Sequence, residues 1–227
     1  MRIFVDKNAI NGDSIIMGEK DCHHVWRVMR MKKGDRVVIC DGEGMDYECE
    51  LVEKNLARII DERVSLGEPE VYITLFQGIP KQSKMEGIVQ QCTELGISEI
   101  CPITTQNGIG EMGNKLERWN KIAMESAKQC GRGRIPRVSD ELAFSDACKK
   151  IPEYDWAIMA YEKAKEAEII GEITGKKGCI FIGSEGGFSE LEVALAVSHG
   201  ARVVTLGNRI LRTQTAGAAI LAKLLIP

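Results

Sequence analysis

The 227-residue sequence predicts two domains, a small β-barrel followed by a larger α/β domain with a mostly parallel sheet. Short apolar runs separated by turn signals fill the first 67 residues, whereas apolar runs alternate with helical patterns from residue 71 onwards. Gly67-Glu68-Pro69 lies where the two patterns meet. We therefore expect domains at residues 1–67 and 71–227, which agrees with a length of about 1.5 typical domains.

The first 67 residues are typical of a small β-barrel because short strands outnumber helices. Asp41-Gly42 lies between two β-rich runs and predicts a hairpin. One helical pattern, at residues 20–31, interrupts the strands. The expected strands are residues 3–5, 14–17, 36–40, 47–52 and 57–60.

The remainder alternates strands with helices, which is typical of a parallel sheet. Ser189 and Glu192 have the spacing of a capping box, so a helix is expected to begin there. The expected strands are residues 71–77, 99–104, 156–161, 179–183 and 202–206, and the expected helices are residues 83–95, 116–130, 189–199 and 213–225.

Bulk charge argues against a nucleic-acid-binding protein, since 30 basic and 33 acidic side chains give a net charge of −3. The basic residues are nevertheless concentrated in two segments of the chain. Residues 23–40 hold five lysines and arginines against one acidic residue, and residues 115–137 hold seven against two. These two blocks are either solvated faces or phosphate-binding patches.

Several classes of protein and site are excluded by composition. A hydrophobic fraction of 44% and a charged fraction of 28% exclude disorder and coiled coil. The eight cysteines include no C-x-x-C pair, so no metal site is expected. The N-terminus lacks the apolar core of a signal peptide, and no apolar run is long enough for a membrane helix. We expect a cytoplasmic protein without a membrane partner, whose reduced thiols mostly fill the core.

A literal G-x-G-x-x-G pattern occurs at residues 108–113, between an expected strand and an expected helix. Three observations disfavour a dinucleotide site there. Three residues separate the strand from Gly108, Glu111 would lie beside the pyrophosphate, and residues 127–139 contain no carboxylate for the ribose. The other interpretation is a flexible glycine loop.

Three glycine-bearing loops follow expected strands, at residues 75–81, 181–189 and 206–216. Each alone is also compatible with a tight turn or a closely packed helix. Glycine lets a backbone approach a ligand closely, and a helix start supplies free N–H groups. Because ligands bind beyond the carboxyl ends of parallel strands, the three loops together predict a pocket.

Five stretches of the sequence are similar to a known family: HHVWRVMRMKKGD (23–35), LFQGIPKQSKMEGIVQQCTELGI (75–97), KLERWNKIAMESAKQCGR (115–132), FIGSEGGFSELE (181–192) and LGNRILRTQTA (206–216). In this order they resemble the RsmE family of ribosomal RNA uracil-N3 methyltransferases, in the SPOUT class. The resemblance spans almost the whole chain.

The resemblance implies a SPOUT-like α/β domain with a mostly parallel sheet and a C-terminal trefoil knot, preceded by a PUA-like, RNA-binding β-barrel. It also implies S-adenosylmethionine as cofactor, ribosomal RNA or the small ribosomal subunit as partner, and a homodimer through the C-terminal domain. The cofactor-binding residues that it indicates are Gln77, Gly78, Gly183, Ser184, Glu185, Gly186, Gly187, Leu206, Gly207, Ile210, Leu211, Thr213, Thr215 and Ala216.

Three departures from the family pattern are visible. Relatives usually carry an arginine-serine stretch where this chain has residues 104–113. Gln214 replaces a frequent glutamate, so a carboxylate at that position cannot be the base. Ser184 replaces the commoner proline.

The implied reaction is attack of uracil N3 on the sulfonium methyl group. N3 carries a proton, so catalysis needs a base or a cation that stabilises charge on the ring carbonyls. We expect Arg212 to be that cation and Glu185 to be a candidate base. Two alternatives are equally open: Arg212 contacts a phosphate group, and the charge of Glu185 only stabilises the start of a helix. The expected RNA-binding residues are His24, Arg27, Arg30, Lys32, Lys81, Lys84, Arg132 and Arg134.

Three other functions remain as alternatives. A SPOUT-class ribose 2′-O-methyltransferase would be expected to have a serine-leucine-asparagine motif where residues 211–213 read Leu-Arg-Thr. A nicotinamide-dependent oxidoreductase would use the loop at residues 108–113. A non-catalytic RNA-binding protein would bind RNA without methylating it.

Overall fold

The chain forms two compact units in a computed structural model that describes residues 2–164, 168–169 and 174–226. The first unit ends at Glu68 and also contains Glu125–Ile135. The second contains Pro69–Met124 and the residues from Pro136 onwards. The sequence prediction assigns residues 125–135 to the second domain, whereas the structure groups them with the first unit.

The Glu68 carboxylate holds the last part of this segment to the first unit. It accepts hydrogen bonds from the backbone N–H groups of Gly133 at 3.0 Å and Arg134 at 2.9 Å. Ile135 N–H also donates to the carbonyl oxygen of Gly42 at 3.2 Å. These bonds join residues distant in the sequence, so local sequence patterns give no sign of them.

The first unit is built on a six-stranded sheet in the order β1-β4-β5-β6-β3-β2. β1 and β4 are parallel, and the other neighbouring strands are antiparallel. All five expected strands are present, and β2 is additional. The strands are β1 (Arg2–Phe4), β2 (Ile10–Asn11), β3 (Ser14–Ile16), β4 (Arg36–Cys40), β5 (Met45–Glu53) and β6 (Leu56–Val64).

Two local predictions for the first unit are confirmed. The Asp41 carboxylate accepts backbone N–H groups of the turn, and β4 and β5 pair as an antiparallel hairpin. The helical pattern at residues 20–31 forms α1 (Glu19–His23), which continues as a π-helical stretch over His24–Val28. Ile15, Val25, Ile39 and Leu51 are fully buried in a core enclosed by the sheet and these helices.

The second unit is an α/β fold whose strands lie in the order β10-β8-β7-β13-β11-β14-β12, with β9 beside β8. Every strand pair of this sheet within the described residues is parallel. The strands are β7 (Tyr72–Gly78), β8 (Glu99–Thr104), β9 (Arg137–Val138), β10 (Leu142–Ala143), β11 (Trp156–Ala160), β12 (Glu168–Ile169), β13 (Lys177–Ile182) and β14 (Arg202–Thr205).

The predicted parallel sheet and the four predicted helices are therefore confirmed. β9, β10, β12 and a further helix were not expected, because each is too short to show a periodicity. The trefoil knot stays a prediction. The helices are α2 (Lys84–Glu94), α3 (Leu116–Cys130), α4 (Phe144–Lys149), α5 (Glu190–Ser198) and α6 (Thr213–Leu225).

The parallel sheet is buried on both faces. Ile73 and Leu75 of β7 pack in a cluster with residues of α2 and α6. Phe76, the next residue, belongs to a second cluster with residues of α4 and α5, and its ring stacks on Phe181 at 4.7 Å between centroids. Burial on both faces explains the continuous apolar runs of these strands.

Seven of the eight cysteine thiols are buried, as expected for core-filling residues, and Cys130 is exposed. Burial raises the pKa of Cys92, Cys148 and Cys179 to about 12. The same cause raises the pKa of Cys40 and Cys49 to about 12. These thiols remain protonated at neutral pH.

Candidate active site

A cavity of about 650 Å³ lies at the carboxyl edge of the parallel sheet. The loops after β11, β13 and β14 line it, together with the start of α6. Its volume is in the range of small-molecule sites, and its position is the one that open parallel sheets use for ligands. Two of the three loops from which a pocket was predicted, at residues 181–189 and 206–216, contribute to its lining, whereas the loop at residues 75–81 does not.

The glycine-rich turn over residues 183–187 forms one wall of the cavity. A side chain on Gly78 would place its Cβ 2.5 Å from the backbone nitrogen of Ser184. A side chain on Gly183 would place its Cβ 3.0 Å from Gly187 Cα. Glycine is needed at both positions because backbone packs directly on backbone.

Thr213 joins three elements beneath this turn. Its hydroxyl donates to the Gly183 carbonyl oxygen at 2.6 Å and accepts from Gln77 Nε2 at 2.8 Å. Gln77 Nε2 also donates to the carbonyl oxygen of Gly78 at 2.9 Å. The end of β7, the glycine-rich turn and the first residue of α6 are therefore held together by buried hydrogen bonds.

Two buried oxygens near this network lack a hydrogen-bond partner within the described part of the chain. They are Ser184 Oγ and Gln77 Oε1. Ser184 lines the cavity, whereas Gln77 is fully buried beside it. A buried hydroxyl without a partner is costly, and a polar ligand in the cavity is one way to satisfy it.

Glu185 is held by Lys81, in the loop after β7, and by Lys84, the first residue of α2. Lys84 Nζ lies 2.7 Å from Glu185 Oε1, and the Lys81 backbone N–H donates to both carboxylate oxygens at 3.2 and 3.3 Å. Burial alone would raise the pKa of the Glu185 carboxyl group, but these hydrogen bonds outweigh it and lower the pKa. Glu185 is therefore ionised at neutral pH, and its oxygens are engaged.

Arg212 is the N-cap residue of α6 and lines the cavity with its exposed side chain. Arg209 is likewise exposed and lines the same wall. Within the described residues, neither guanidinium group has a hydrogen-bond or ion-pair partner. Two positive charges are thus available to a ligand or substrate at the cavity.

Glu162 belongs to the cavity but was missed by the sequence analysis. It follows the carboxyl end of β11, so its position after a parallel strand was the available signal, but the loop lacks the glycine by which the other loops were selected. Its Oε1 lies 2.9 Å from where a Cβ on Gly187 would be. No partner of its carboxylate occurs among the described residues.

Most of the expected cofactor residues line the cavity. Gln77 and Gly78 support the glycine-rich turn from behind, and Thr215 is exposed on α6 outside the lining. The expected residues in the lining are Gly183, Ser184, Glu185, Gly186, Gly187, Leu206, Gly207, Ile210, Leu211, Thr213 and Ala216, with Arg212 beside them.

The residues expected to bind RNA divide by exposure. His24, Arg27, Arg30 and Lys32 are exposed on the first unit, and Lys81 is exposed on the second. Lys84 is half-buried and paired with Glu185. These positions remain available as predicted contacts, except that Lys84 has a partner in the same molecule.

The prediction for Arg132 is wrong. Its side chain is only 4% exposed, and its Nη2 and Nε lie 2.7 and 3.3 Å from the two carboxylate oxygens of Glu68. A buried, bidentate ion pair leaves no surface for a phosphate group. Arg134 is exposed, and its Nε donates to the Glu43 carbonyl oxygen at 2.8 Å.

The G-x-G-x-x-G loop lies outside the cavity lining. A Cβ on Gly110 would collide with the carbonyl oxygens of Ile79 and Pro80, and one on Gly108 would lie 2.8 Å from Thr105 Oγ1. Met112 is buried in the core. The glycines of this loop therefore serve close packing of the chain on itself.

The described residues provide neither a cluster of metal ligands nor a membrane-spanning helix. No group of three or more His, Cys, Asp or Glu side chains in this part of the chain is placed to hold a metal ion. No helix in it has both the length and the apolar character needed to cross a membrane.

Two family models match the chain. One, described as an RNA methyltransferase domain, matches residues 67–225, and the other, described as an RNA methyltransferase PUA domain, matches residues 18–62. Together they cover most of both units.

Individual relatives agree with these models. Ribosomal RNA small subunit methyltransferase E of Bacillus subtilis is 32% identical over 218 residues, which cover 88% of this chain and 85% of the relative. The protein of the same name from Neisseria gonorrhoeae, whose crystal structure contains S-adenosyl methionine, has a TM-score of 0.86 at 29% identity, and the match covers 98% of this chain and 95% of that one.

 A second crystal structure, of a hypothetical protein, has a TM-score of 0.84 at 31% identity, and the match covers 98% of this chain and 96% of that one.

Proposed function

Because the chain belongs to the ribosomal RNA small subunit methyltransferase E family, we propose that it transfers a methyl group to N3 of one uridine in 16S ribosomal RNA. Its activity is methylation of RNA with S-adenosylmethionine as methyl donor, and its substrate class is ribosomal RNA. The choice of N3 and of uridine is the part that we propose, and it rests on the family resemblance of the loops at the cavity.

The residues at the cavity fit S-adenosylmethionine, and Ser184 is the observation that supports this most directly. Its buried hydroxyl lacks a partner among the described residues and belongs to the cavity lining. The glycine-rich turn brings backbone close to the cavity, as a ligand with several polar groups requires. Glu162, Arg209 and Arg212 place charges of both signs at the cavity, where a bound donor and a substrate with polar groups can meet them.

When bound, S-adenosylmethionine supplies a methyl group that is activated by its attachment to a sulfonium. The protein has to make uracil N3 a nucleophile. As N3 loses its proton, negative charge spreads onto the two ring carbonyl oxygens, and a fixed cation beside them lowers the energy of the transition state. We propose that Arg212 is this cation, because its free guanidinium group lies at the cavity and at the start of α6.

Two carboxylates of the described residues line the cavity, and Glu162 is the better candidate to accept the N3 proton. Glu185 already accepts hydrogen bonds from Lys84 and Lys81, and its lowered pKa makes it a weaker base. Glu162 has no such partners within the described residues and lines the same cavity. We therefore assign Glu185 to holding the loop after β7, in place of the role of base expected from the sequence.

The exposed basic residues of the first unit are proposed to hold the RNA backbone. Arg27, Arg30 and Lys32 follow one another along the end of the π-helical stretch and the turn after it, and all three are exposed. Phosphate contacts of this kind release counterions, so binding is expected to weaken as salt increases.

A homodimer through the second unit and a cytoplasmic location also stay predictions. Light scattering on the purified protein tests the homodimer.

Labelled methyl transfer tests the proposed function. The full chain is incubated with S-adenosylmethionine that carries a labelled methyl group, and with either naked 16S ribosomal RNA or small subunits that lack the modification. The expected product is one 3-methyluridine, identified by nuclease digestion and mass spectrometry. A methyl group on a ribose 2′ oxygen, or no transfer to either substrate, would contradict the proposal.

A further inference from the structure

The Glu192 carboxylate joins two segments that lie far apart in the sequence. Its Oε2 accepts the backbone N–H of Ser189 at 2.8 Å, which completes the capping box of α5. Its Oε1 accepts the backbone N–H of Gln106 at 2.7 Å, in the loop after β8. The residue is only 9% exposed, so water competes little for either oxygen.

A second link joins the same two segments. Asn107 Nδ2 donates to the carbonyl oxygen of Gly186 at 3.2 Å. A Cβ on Gly186 would lie 2.5 Å from the carbonyl oxygen of Asn107, so the two backbones are in close contact. Residues 106–107 therefore hold the turn of residues 183–187 at its last glycines and at the helix that follows.

We propose that Glu192 and Asn107 are positioning residues that keep the glycine-rich turn in the shape that binds the methyl donor. Neither residue lines the cavity, so both act through the turn. A turn with three glycines has a large conformational entropy to lose, and fixing it before the ligand arrives reduces the cost of binding. This inference rests on the proposed use of the cavity for S-adenosylmethionine.

The chemistry of the link requires a carboxylate at position 192. Two backbone N–H donors need two acceptor oxygens, and a glutamine offers one oxygen and one NH₂ group. In Glu192→Gln the NH₂ group would face a backbone N–H, and one of the two bonds would be lost. Residues 106–107 belong to the loop in which the family resemblance predicts an arginine-serine stretch, and the positioning role proposed for Asn107 needs no arginine.

Calorimetric titration with S-adenosylmethionine tests the inference on the full chain. Glu192→Gln and Asn107→Ala are each expected to raise the dissociation constant roughly tenfold, the effect of a lost hydrogen bond of about 1.4 kcal/mol. Ser189→Ala is the matched control. It removes only the hydroxyl that accepts from Glu192 N–H, leaves both carboxylate bonds in place, and is expected to change the constant by less than about threefold.

Steady-state methyl transfer adds a second readout. KM for S-adenosylmethionine should rise in both variants while kcat at saturating donor stays close to that of the wild type. A loss of folded protein gives the opposite result, since it lowers kcat and leaves KM unchanged. If Glu192→Gln does not fold, Asn107→Ala carries the test, because Asn107 is an exposed residue.

The outcomes separate this inference from the proposed function. A wild-type chain that does not bind S-adenosylmethionine would overturn both. A wild-type chain that binds it, with both variants binding equally well, would overturn the positioning role alone. An equal weakening by Ser189→Ala would also overturn it, because the effect would then come from the helix cap.

Discussion

Lys84 Nζ lies 2.7 Å from Glu185 Oε1 and joins the first residue of α2 to the glycine-rich turn. Both side chains are partly buried, with 30% and 27% of their surface exposed. The pair therefore belongs to the wall of the cavity, and its charge state influences the stability of that wall.

The lowered pKa of Glu185 predicts a specific pH dependence of stability. A carboxyl group whose pKa is lower in the folded state stabilises it above the unfolded value of about 4.3, and this contribution is lost as pH falls through the folded pKa. Glu185→Gln should therefore be less stable than the wild type at pH 7, and the difference should shrink towards pH 3. Urea unfolding at both pH values measures this, and a difference that does not depend on pH would contradict it.

Arg212→Ala should slow methyl transfer by about 10²–10³-fold, the usual effect of removing one group that stabilises transition-state charge. The dissociation constant of S-adenosylmethionine should change much less. Arg209→Ala is the matched control, since Arg209 is the other free cation of the lining within the described residues. Single-turnover rates measure both variants. An unchanged rate in Arg212→Ala with intact donor binding would remove Arg212 from the mechanism.

Glu162→Gln should lower kcat by about 10²-fold if Glu162 accepts the N3 proton, because a general base contributes 10²–10⁴-fold. The same substitution at Glu185 should have a smaller effect on kcat, since that carboxylate is already engaged. Rates measured from pH 5.5 to 9 compare the two variants. A larger loss in Glu185→Gln would reverse the assignment of the base.

Ser184→Ala should affect binding and stability in opposite directions. Loss of the hydroxyl removes a buried polar atom that lacks a partner among the described residues, so the free energy of unfolding should stay the same or increase. Donor affinity should fall about three- to tenfold, the worth of one hydrogen bond. Calorimetry and urea unfolding test the pair of effects. Unchanged affinity would mean that the hydroxyl has no partner in the ligand.

Arg132→Ala should affect the stability of the protein, whereas Arg27→Ala should affect its binding to RNA. Arg132→Ala leaves the largely buried Glu68 carboxylate without its ion-pair partner and should cost about 3–5 kcal/mol of stability. Arg27→Ala should leave stability unchanged, weaken RNA binding and reduce its salt dependence, because Arg27 is exposed. Urea unfolding and RNA titration at several salt concentrations compare them. A loss of stability in Arg27→Ala, or none in Arg132→Ala, would contradict the assignment.

Local patterns predicted the elements that are long or carry clear end signals. α6 begins and ends at the expected residues, and the capping box of Ser189 and Glu192 forms at the start of α5. The order of strand ends was enough to place the pocket, because parallel strands present their carboxyl ends at one edge. Glu162 follows the same rule and was missed only because its strand lacks a glycine after it.

Long-range contacts could not be predicted from local patterns. Glu192 has the expected bond to Ser189, but its second oxygen meets Gln106, which is 86 residues away in the sequence. Arg132 looked like part of a basic surface because its neighbours in sequence are basic, yet it is buried against Glu68. The charge of a segment shows which residues can bind phosphate, and only tertiary structure shows which of them reach the surface.

The distribution of thiols makes the protein suitable for labelling with a single dye. Cys130 is exposed at the end of α3, whereas the other seven cysteines are buried. Maleimides react with thiolates. The raised pKa of buried thiols such as Cys92 and Cys179 keeps these thiols protonated, which protects them from the reagent in addition to their burial. A fluorophore attached to the native chain near pH 7 would therefore report from Cys130, without any cysteine having to be replaced.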